Sequence, residues 1–478
     1  MRKLFVLALI ALLPIRFFCQ APVYPRGFAI HNVTIIDMTG APPKRNMTVI
    51  IKDSRISRIR SSKIPLPDDI PGYDGTGKFL IPAFWDMHVH ARDADRMLPL
   101  FVANGVLGIR DLGNPNMANI LRWRDEAAAG AIVSPRIVTA GRVIDGDPPA
   151  NRDYSVTVKT PEEARKAVQD LKKQKVDLLK VYDRLSREAY FAIVEEAKKA
   201  GLPFAGHVPL AITSIEASDA GQKSIEHLGK LLEDSSGAPE KIGAKRAEPI
   251  AEGDFFAFTS RFGRVYDEIL ATYSDKKARE IFAHFRQNRT WQVPTLATKY
   301  SRTFIDELDA AGDPRSKYVE ASQLEYWKPK VGFFSRYRTP EYIVAAKKYY
   351  RKELLLVGEM NRFGIPILAG TDTPAAYVIA GFSLHEELAL LVGAGLTPMQ
   401  ALETATRNPA QYLGESDRQG TVQPGKIANL ILLDANPLED IKNTTKINAV
   451  IQNGRYLSRA ELDKILAGVE AAAGKAKD

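Results

Sequence analysis

Eight short apolar runs, most of them separated by segments of helical spacing, constrain the fold of this chain more than any other feature. They are FLIPAFWDMHVH, GVLGIRDLG, PRIVTAGR, VDLLKVYD, LPFAGHVP, QKSIEHL, WQVPTLA and IPILAGTD. Uninterrupted apolar runs of this length suit strands covered on both faces, as in parallel sheets. Intervening segments such as PEEARKAVQDLKKQ and SREAYFAIVEEAKKAG repeat apolar residues three and four apart, the spacing of a helix with one buried face. The alternation predicts an α/β fold, a (β/α)8 TIM barrel over residues 79–414. Two longer stretches, from His227 to Trp291 and from Ala297 to Gly364, are rich in helical pattern. They are expected to form walls or lids above the barrel mouth.

Both ends of the chain have a different texture. FAIHNVTIID and MTVIIKDSRISRI are rich in β-branched residues and are separated by turn formers such as Thr39-Gly40 and Pro42-Pro43. ANLILLD and INAVIQNG repeat that texture near the C-terminus. A small β-sandwich domain built from residues 22–78 and 415–460 is therefore expected, with 461–478 as a frayed Ala/Lys-rich tail. The first residues are a short basic start followed by an apolar run from Leu4 to Ile15, too short to span a membrane comfortably but suited to a signal-peptide core. Residues 1–21 are read as a signal peptide, which makes the protein secreted or periplasmic. Cys19 is the only cysteine, and the Arg16-Phe17-Phe18 before it lacks the small residues of a lipid-attachment site, so lipid anchoring there is the weaker reading. Removal of this segment takes away Arg2, Lys3 and Arg16, and the formal charge of +9 falls to +6. The remaining Lys and Arg residues lie beside Glu and Asp on helical stretches such as ARKAVQDLKKQK. A solvated surface accounts for them better than a nucleic-acid site does. The expected partner is a small-molecule substrate, with no nucleic acid and no stable membrane insertion after processing; a homo-oligomer is left open.

The polar residues inside these runs carry the chemistry. His88 and His90 close the first run, Lys180 the fourth, His207 the fifth, His227 the sixth and Asp372 the eighth. In a barrel the carboxyl ends of all strands open on one face, so six residues distant in sequence converge there. Alternation along a strand puts His88 and His90 on the same side. Singly, each has an ordinary reading: a rim histidine, an Asp-Thr-Pro turn, a lysine whose stem is buried. Jointly they favour a metal site, because four of only seven histidines occupy strand ends. Tyr182, two residues beyond Lys180, is a candidate for binding an oxyanion or a substrate carboxylate. Arg110, at the end of the second run, either orients a ligand, forms an ion pair or contacts substrate. His385 is either a helper of the site or a packing residue, and His31 and His284 are read as structural.

Phe84-Trp85-Asp86-Met87-His88-Val89-His90, Lys180-Val181-Tyr182, Gly206-His207, Glu226-His227 and Gly370-Thr371-Asp372-Thr373 resemble the metal motifs of the amidohydrolase superfamily. The resemblance runs from Phe28 to Ser458. It includes GLTPMQALETATRNPAQYLG and GTVQPGKIANLILLDANPLEDI, which are similar to the closing segment of its imidazolonepropionase-like and Xaa-Pro dipeptidase-like branch. The resemblance implies two divalent metal ions, Zn first by ligand type, bridged by Lys180 after carboxylation by CO2. It implies His88, His90 and Asp372 on one ion and His207 and His227 on the other. A metal-bridging hydroxide would then attack an amide, with Asp372 as the proton carrier. The substrate class implied is a dipeptide of Xaa-Pro type or an N-acyl amino acid. Alternatives are a cyclic amide or imide hydrolase, a lactonase or a phosphotriesterase-like hydrolase, and more remotely a non-catalytic metal- or solute-binding exported protein.

Overall fold

The computed structural model describes residues 27–249, 255–328 and 338–475; the expected export segment 1–21 lies outside them. Near the start, β1 (Gly27–Ile35), β2 (Lys44–Lys52), β3 (Arg55–Ser61), β4 (Gly72–Asp74) and β5 (Phe79–Pro82) follow one another. Then come β6 (Phe84–Val89), β7 (Val106–Asp111) and β8 (Arg136–Thr139), which form a parallel three-stranded sheet. The strands β9 (Val143–Asp145), β10 (Ser155–Thr157), β11 (Leu179–Val181), β12 (Phe204–Gly206), β13 (Ser224–Glu226) and β14 (Trp291–Val293) form a second parallel sheet in the order β10-β9-β11-β12-β13-β14. Close to the C-terminus, β15 (Leu430–Leu433), β16 (Ile447–Gln452) and β17 (Arg455–Ser458) return to pair with the first strands, giving the order β17-β16-β15-β5-β1-β2-β3 with β4 on β1.

The architecture is thus α/β with parallel strands in the middle and a β-unit assembled from both ends, as the sequence predicts. Three details differ. FLIPAFWDMHVH is divided: Phe79–Pro82 pairs with β1 and β15 in the end sheet, and only Phe84–Val89 belongs to the parallel part. The last run, IPILAGTD, and the Thr373 that follows it make isolated parallel bridges, Gln292 with Ile367 and Val89 with Thr373, instead of a ladder. The end strands form one eight-stranded sheet, and its alternation feeds two cores. Leu430, Leu432, Ile30 and Val49 close a small core of their own, while Ile431, Leu433, Ile36 and Ile81 face the main one.

The helices follow their sequence signals. Thr160 accepts a hydrogen bond from the Glu163 N–H at 3.3 Å, Pro161 takes the first turn, and Ala164, Ala167, Val168 and Leu171 form the buried stripe of Pro161–Lys173. Arg187–Ala200 starts on Ser186 and stops at Gly201, whose φ of 66° suits the left-handed cap. The reading of 461–478 as frayed is corrected up to Lys475, with 476–478 outside the described residues: Arg459–Lys475 is a helix that packs on Met97–Ala103. Its Leu462, Val469 and Ala473 are buried, because the alanines that suggested a loose tail also favour helix and one of them packs. The two long stretches are helical, including Phe255–Thr272, Asp275–Asn288 and Pro340–Phe363. Among the described residues, no helix is long and apolar enough to cross a membrane.

One buried acid makes the stability pH-dependent. Glu387 is buried in the helix Phe382–Gly393, where its Oε2 accepts a hydrogen bond from the Ala297 N–H at 2.7 Å. Burial pushes its carboxyl up to about 8 from an ordinary value of 4.5. Between those values the unfolded chain releases this proton while the folded chain keeps it. Its contribution to stability is therefore full below about pH 4.5 and is lost as pH rises towards about 8. Glu387→Gln keeps the acceptor oxygen and removes the ionisation, so its Tm relative to the native protein should climb between about pH 5 and 9. A difference in Tm that stays constant across that range would contradict this account.

Candidate metal centre

The parallel strands place five of the six predicted residues at or within one position of their carboxyl ends, where the adjacent β11, β12 and β13 align Lys180, His207 and His227, and Asp372 lies in the run bridged to β14 and β6. Two glycines permit the approach. Gly206 has a φ of 139°, and a Cβ there would lie 2.1 Å from the Val181 carbonyl oxygen. A Cβ on Gly370 would meet the His88 backbone N and Cβ, each at 2.8 Å. His227 and Asp372, with φ of 58° and 61°, hold the left-handed conformation that non-glycine residues rarely take, a strain typical of functional positions.

The four histidines share one design. His88 Nδ1 lies 2.8 Å from Glu226 Oε2, His90 Nδ1 2.8 Å from the Gly113 carbonyl, and His207 Nδ1 2.8 Å from Asp183 Oδ1. His227 Nδ1 lies 2.7 Å from Thr295 Oγ1, whose own hydrogen goes to the Pro294 carbonyl. Each Nδ1 thus donates outward, and each Nε2 is left with a lone pair, the ligand tautomer. Ligand atoms of His88, His227 and Asp372 fall within 4.8 Å of one another. Asp372 Oδ1 is 3.2 Å from His90 Nε2 and 3.5 Å from His88 Nε2. The rings of His207 and His227 lie 4.8 Å apart. The six residues are therefore together, with His227 bridging the two groups that the resemblance separates.

Burial keeps two of the imidazoles, His88 and His227, neutral. Burial, reinforced by Lys180, pushes His88 down to about 3 against the pull of Glu226, and burial also drives His227 well below its usual value. Lys180 is fully buried, which lowers its ammonium to about 8 although Glu226 and Asp372 oppose the shift. The donor set can be tested for fit to a cation. His88 Nε2 and Lys180 Nζ are buried without a hydrogen-bond partner, and buried polar atoms are otherwise almost always satisfied. Neutral imidazole nitrogens and a carboxylate around such atoms fit a divalent metal.

Tyr182 stacks beside His207 with ring centroids 4.0 Å apart, and with Lys180 and Asp372 it lines a cavity of about 430 Å³. The sequence did not single out the carboxylates behind the histidines. Glu226 stood out only as the neighbour of His227, and Asp183 only as the last residue of the run VDLLKVYD, although each sits one to three residues from a named candidate. Arg110 is fully buried and donates to both Glu226 oxygens at 2.9 and 3.1 Å, and to the Met87 carbonyl, Ser224 and Tyr412. Of its three readings, ion pairing behind a ligand is the observed one; substrate contact is excluded by burial. Burial opposes ionisation of Glu226, yet Arg110 and His88 hold it down to about 2. His385 bonds Thr444 Oγ1 at 3.0 Å and the Asn104 carbonyl at 3.2 Å, a packing role. His31 and His284 pair with Asp74 and Asp219 away from the site.

The fold and this centre define a class: α/β proteins with a histidine–carboxylate centre at the carboxyl ends of parallel strands. Residues 337–457 match the family model described as Amidohydrolase family. Solved structures agree in fold. A Xaa-Pro dipeptidase with bound methionine in the active site has a TM-score of 0.64 at 20% identity, over 90% of this chain and 100% of that one. A bottromycin amidohydrolase has a TM-score of 0.74 at 23% identity, over 95% and 92%. The A. niger ochratoxinase has a TM-score of 0.62 at 19% identity, over 91% and 96%. An adenine deaminase of Ligilactobacillus salivarius (strain UCC118) is 35% identical over 74 residues, which are 16% of this chain and only 12% of that protein.

Proposed function

We propose that this protein is an exported, binuclear-metal amidohydrolase that cleaves the amide bond of a dipeptide, Xaa-Pro first, or of an N-acyl amino acid. One observation carries the reading: four outward-donating histidines surround Asp372 and a buried Lys180 whose Nζ has no partner. The bridges from β14 and β6 to the 365–373 run support closure of the parallel strands into one (β/α)8 barrel. The apolar run from Leu4 to Ile15 supports export. His88, His90 and Asp372 would hold one ion and His207 and His227 the other, with Lys180, carboxylated by CO2, between them.

Bound Zn²⁺ or a similar ion would polarise the scissile carbonyl and make water a better nucleophile at neutral pH. The rest is the work of the chain. Asp372 Oδ1 lies against the imidazoles, so Oδ2 takes the proton of the attacking water and passes it to the leaving nitrogen. Glu226 and Asp183 hold His88 and His207 in their ligand tautomers. Tyr182 presents its hydroxyl from the cavity wall to the substrate. A deaminase reading draws on the adenine deaminase match, but Val208-Pro209-Leu210 follow His207 where a ring-protonating Glu would be needed.

The test is a screen of the Zn²⁺-loaded protein against dipeptides, N-acyl amino acids, lactones, phosphotriesters and adenine, with the bound metal counted. About two equivalents and cleavage of a peptide or N-acyl amino acid are expected, with Lys180→Ala losing one equivalent. Cleavage of lactones or phosphotriesters alone would reassign the substrate. Less than about half an equivalent of metal would remove the metal reading.

A further inference from the structure

The cavity over the centre has two flanks. One lies beside Asp372 and is walled by His90, Arg92 and Tyr154, whose ring stands edge-on to His90 with centroids 5.6 Å apart. The other opens off His207 and His227. Val208 and Leu210 follow the first of these histidines, Gly229 and Lys230 follow the second, and all four line the cavity. The far side of this flank is the helix Phe255–Thr272. It contributes Phe262, Val265, Tyr266 and Ile269, whose spacing of three, one and three residues puts them on one helical face.

The charges on this second flank are paired within the protein. Lys299 meets Glu353 at 2.5 Å and Arg246 meets Glu233 at 2.6 Å, while Lys230 donates to the Leu210 and Ile212 carbonyls, each at 3.0 Å. What the flank offers a ligand is flat carbon surface. Tyr266 stacks on Tyr349 of the helix Pro340–Phe363, with centroids 4.4 Å apart and planes 29° from parallel. The Tyr266 hydroxyl is engaged by Tyr342, on that same second helix. Val265 and Ile269 are buried, whereas Leu210, Tyr266 and Tyr349 are half-buried at the cavity. Half-buried rings inside a concavity keep apolar surface against water, and a flat apolar group that covers them removes that cost.

We propose that this flank is a subsite for an uncharged aromatic ring on the acyl side of the substrate, with Tyr266 and Tyr349 as its specificity-determining residues. The assignment rests on the amidohydrolase reading above and narrows it to amino acids acylated by an aryl group. In that reading the leaving nitrogen stands beside Asp372. The acyl substituent, across the scissile bond, then points away from Asp372 and into the flank that opens off His207 and His227. There is room for it. A benzene ring is held by a cavity of about 150 Å³, and the whole cavity measures about 430 Å³, enough for a ring and an amino acid together. An acetyl group would leave the two tyrosines in water.

The experiment compares N-benzoylalanine, N-cyclohexanecarbonylalanine, N-acetylalanine and N-acetylphenylalanine on the Zn²⁺-loaded native protein, Tyr266→Leu and Tyr349→Leu, with Tm and metal content followed. In the native protein kcat/KM should be at least about 10-fold higher for the benzoyl than for the acetyl compound of alanine. The cyclohexane compound, which has the bulk without the flat ring, should fall about 2- to 10-fold below the benzoyl one. Each substitution should shrink the benzoyl-to-acetyl ratio at least about fivefold. No benzoyl preference, a cyclohexane compound as good as the benzoyl one, or a ratio that survives both substitutions overturns the assignment. So does a larger gain from N-acetylphenylalanine, which carries its ring on the leaving side. If the native protein cleaves none of the four, the hydrolase reading fails, and calorimetric binding decides the subsite separately. It then stands only if N-benzoylalanine binds at least about 10-fold more tightly than N-acetylalanine and the substitutions abolish the difference; otherwise it falls too.

Discussion

Asp372→Asn should lower kcat by about 10²- to 10⁴-fold on whatever substrate the metal-loaded protein cleaves, with the fold intact. Asparagine has nearly the same shape and keeps an oxygen towards His88 and His90, so packing around the buried side chain is preserved. What it lacks is an oxygen basic enough to accept the proton from water and return it to nitrogen. Because Asp372 is both a candidate ligand and the proton carrier, metal content must be measured alongside rate. Turnover lost at unchanged metal content isolates the proton-transfer role, and kcat should fall by much more than KM changes. Retention of more than about a tenth of kcat would remove Asp372 from that role.

The second large effect lies behind the centre. Glu226→Ala leaves the guanidinium of Arg110 buried without its carboxylate, which should cost about 3–5 kcal/mol and lower Tm accordingly. It also removes Glu226 Oε2, the acceptor of His88 Nδ1, so metal affinity should fall about 10- to 100-fold. The two losses can be told apart. Arg110→Met combined with Glu226→Leu removes both charges and refills the space, so most of the stability should return. The metal affinity should not return, because no acceptor faces His88. If the double variant binds metal as the native protein does, the carboxylate has no part in orienting the ligand, and its role is confined to pairing with Arg110.

Much of the candidate site was legible for one reason: chemistry-bearing residues stood at the ends of apolar runs, and parallel strands bring such ends together. The motifs from Phe84 to His90 and from Gly370 to Thr373 also carried the amidohydrolase resemblance, and the second of them lies within the segment 337–457 that matches the family model. The carboxylates were harder to read. Glu226 precedes its histidine on a strand and so points to the opposite side, where it meets His88 from a strand 138 residues earlier. Nothing local distinguishes that glutamate from a surface one. The tail was misread for a related reason. Ala-rich sequence is equally consistent with a frayed end and with a packed helix, and only the face offered by Met97–Ala103 decides between them.

The sequence by itself determined the alternation of strands and helices, the β-texture of the two ends and the six residues that meet at the centre. All of these follow from short-range spacing, which a linear chain displays openly. The tertiary structure alone decided which acid stands behind each imidazole, that Arg110 is sealed beneath the site instead of facing substrate, and that Tyr266 and Tyr349 meet at the cavity. Those are contacts between residues tens to hundreds of positions apart. Their partners are chosen by how the strands are ordered and how the long helices lie, and no spacing along the chain records that choice.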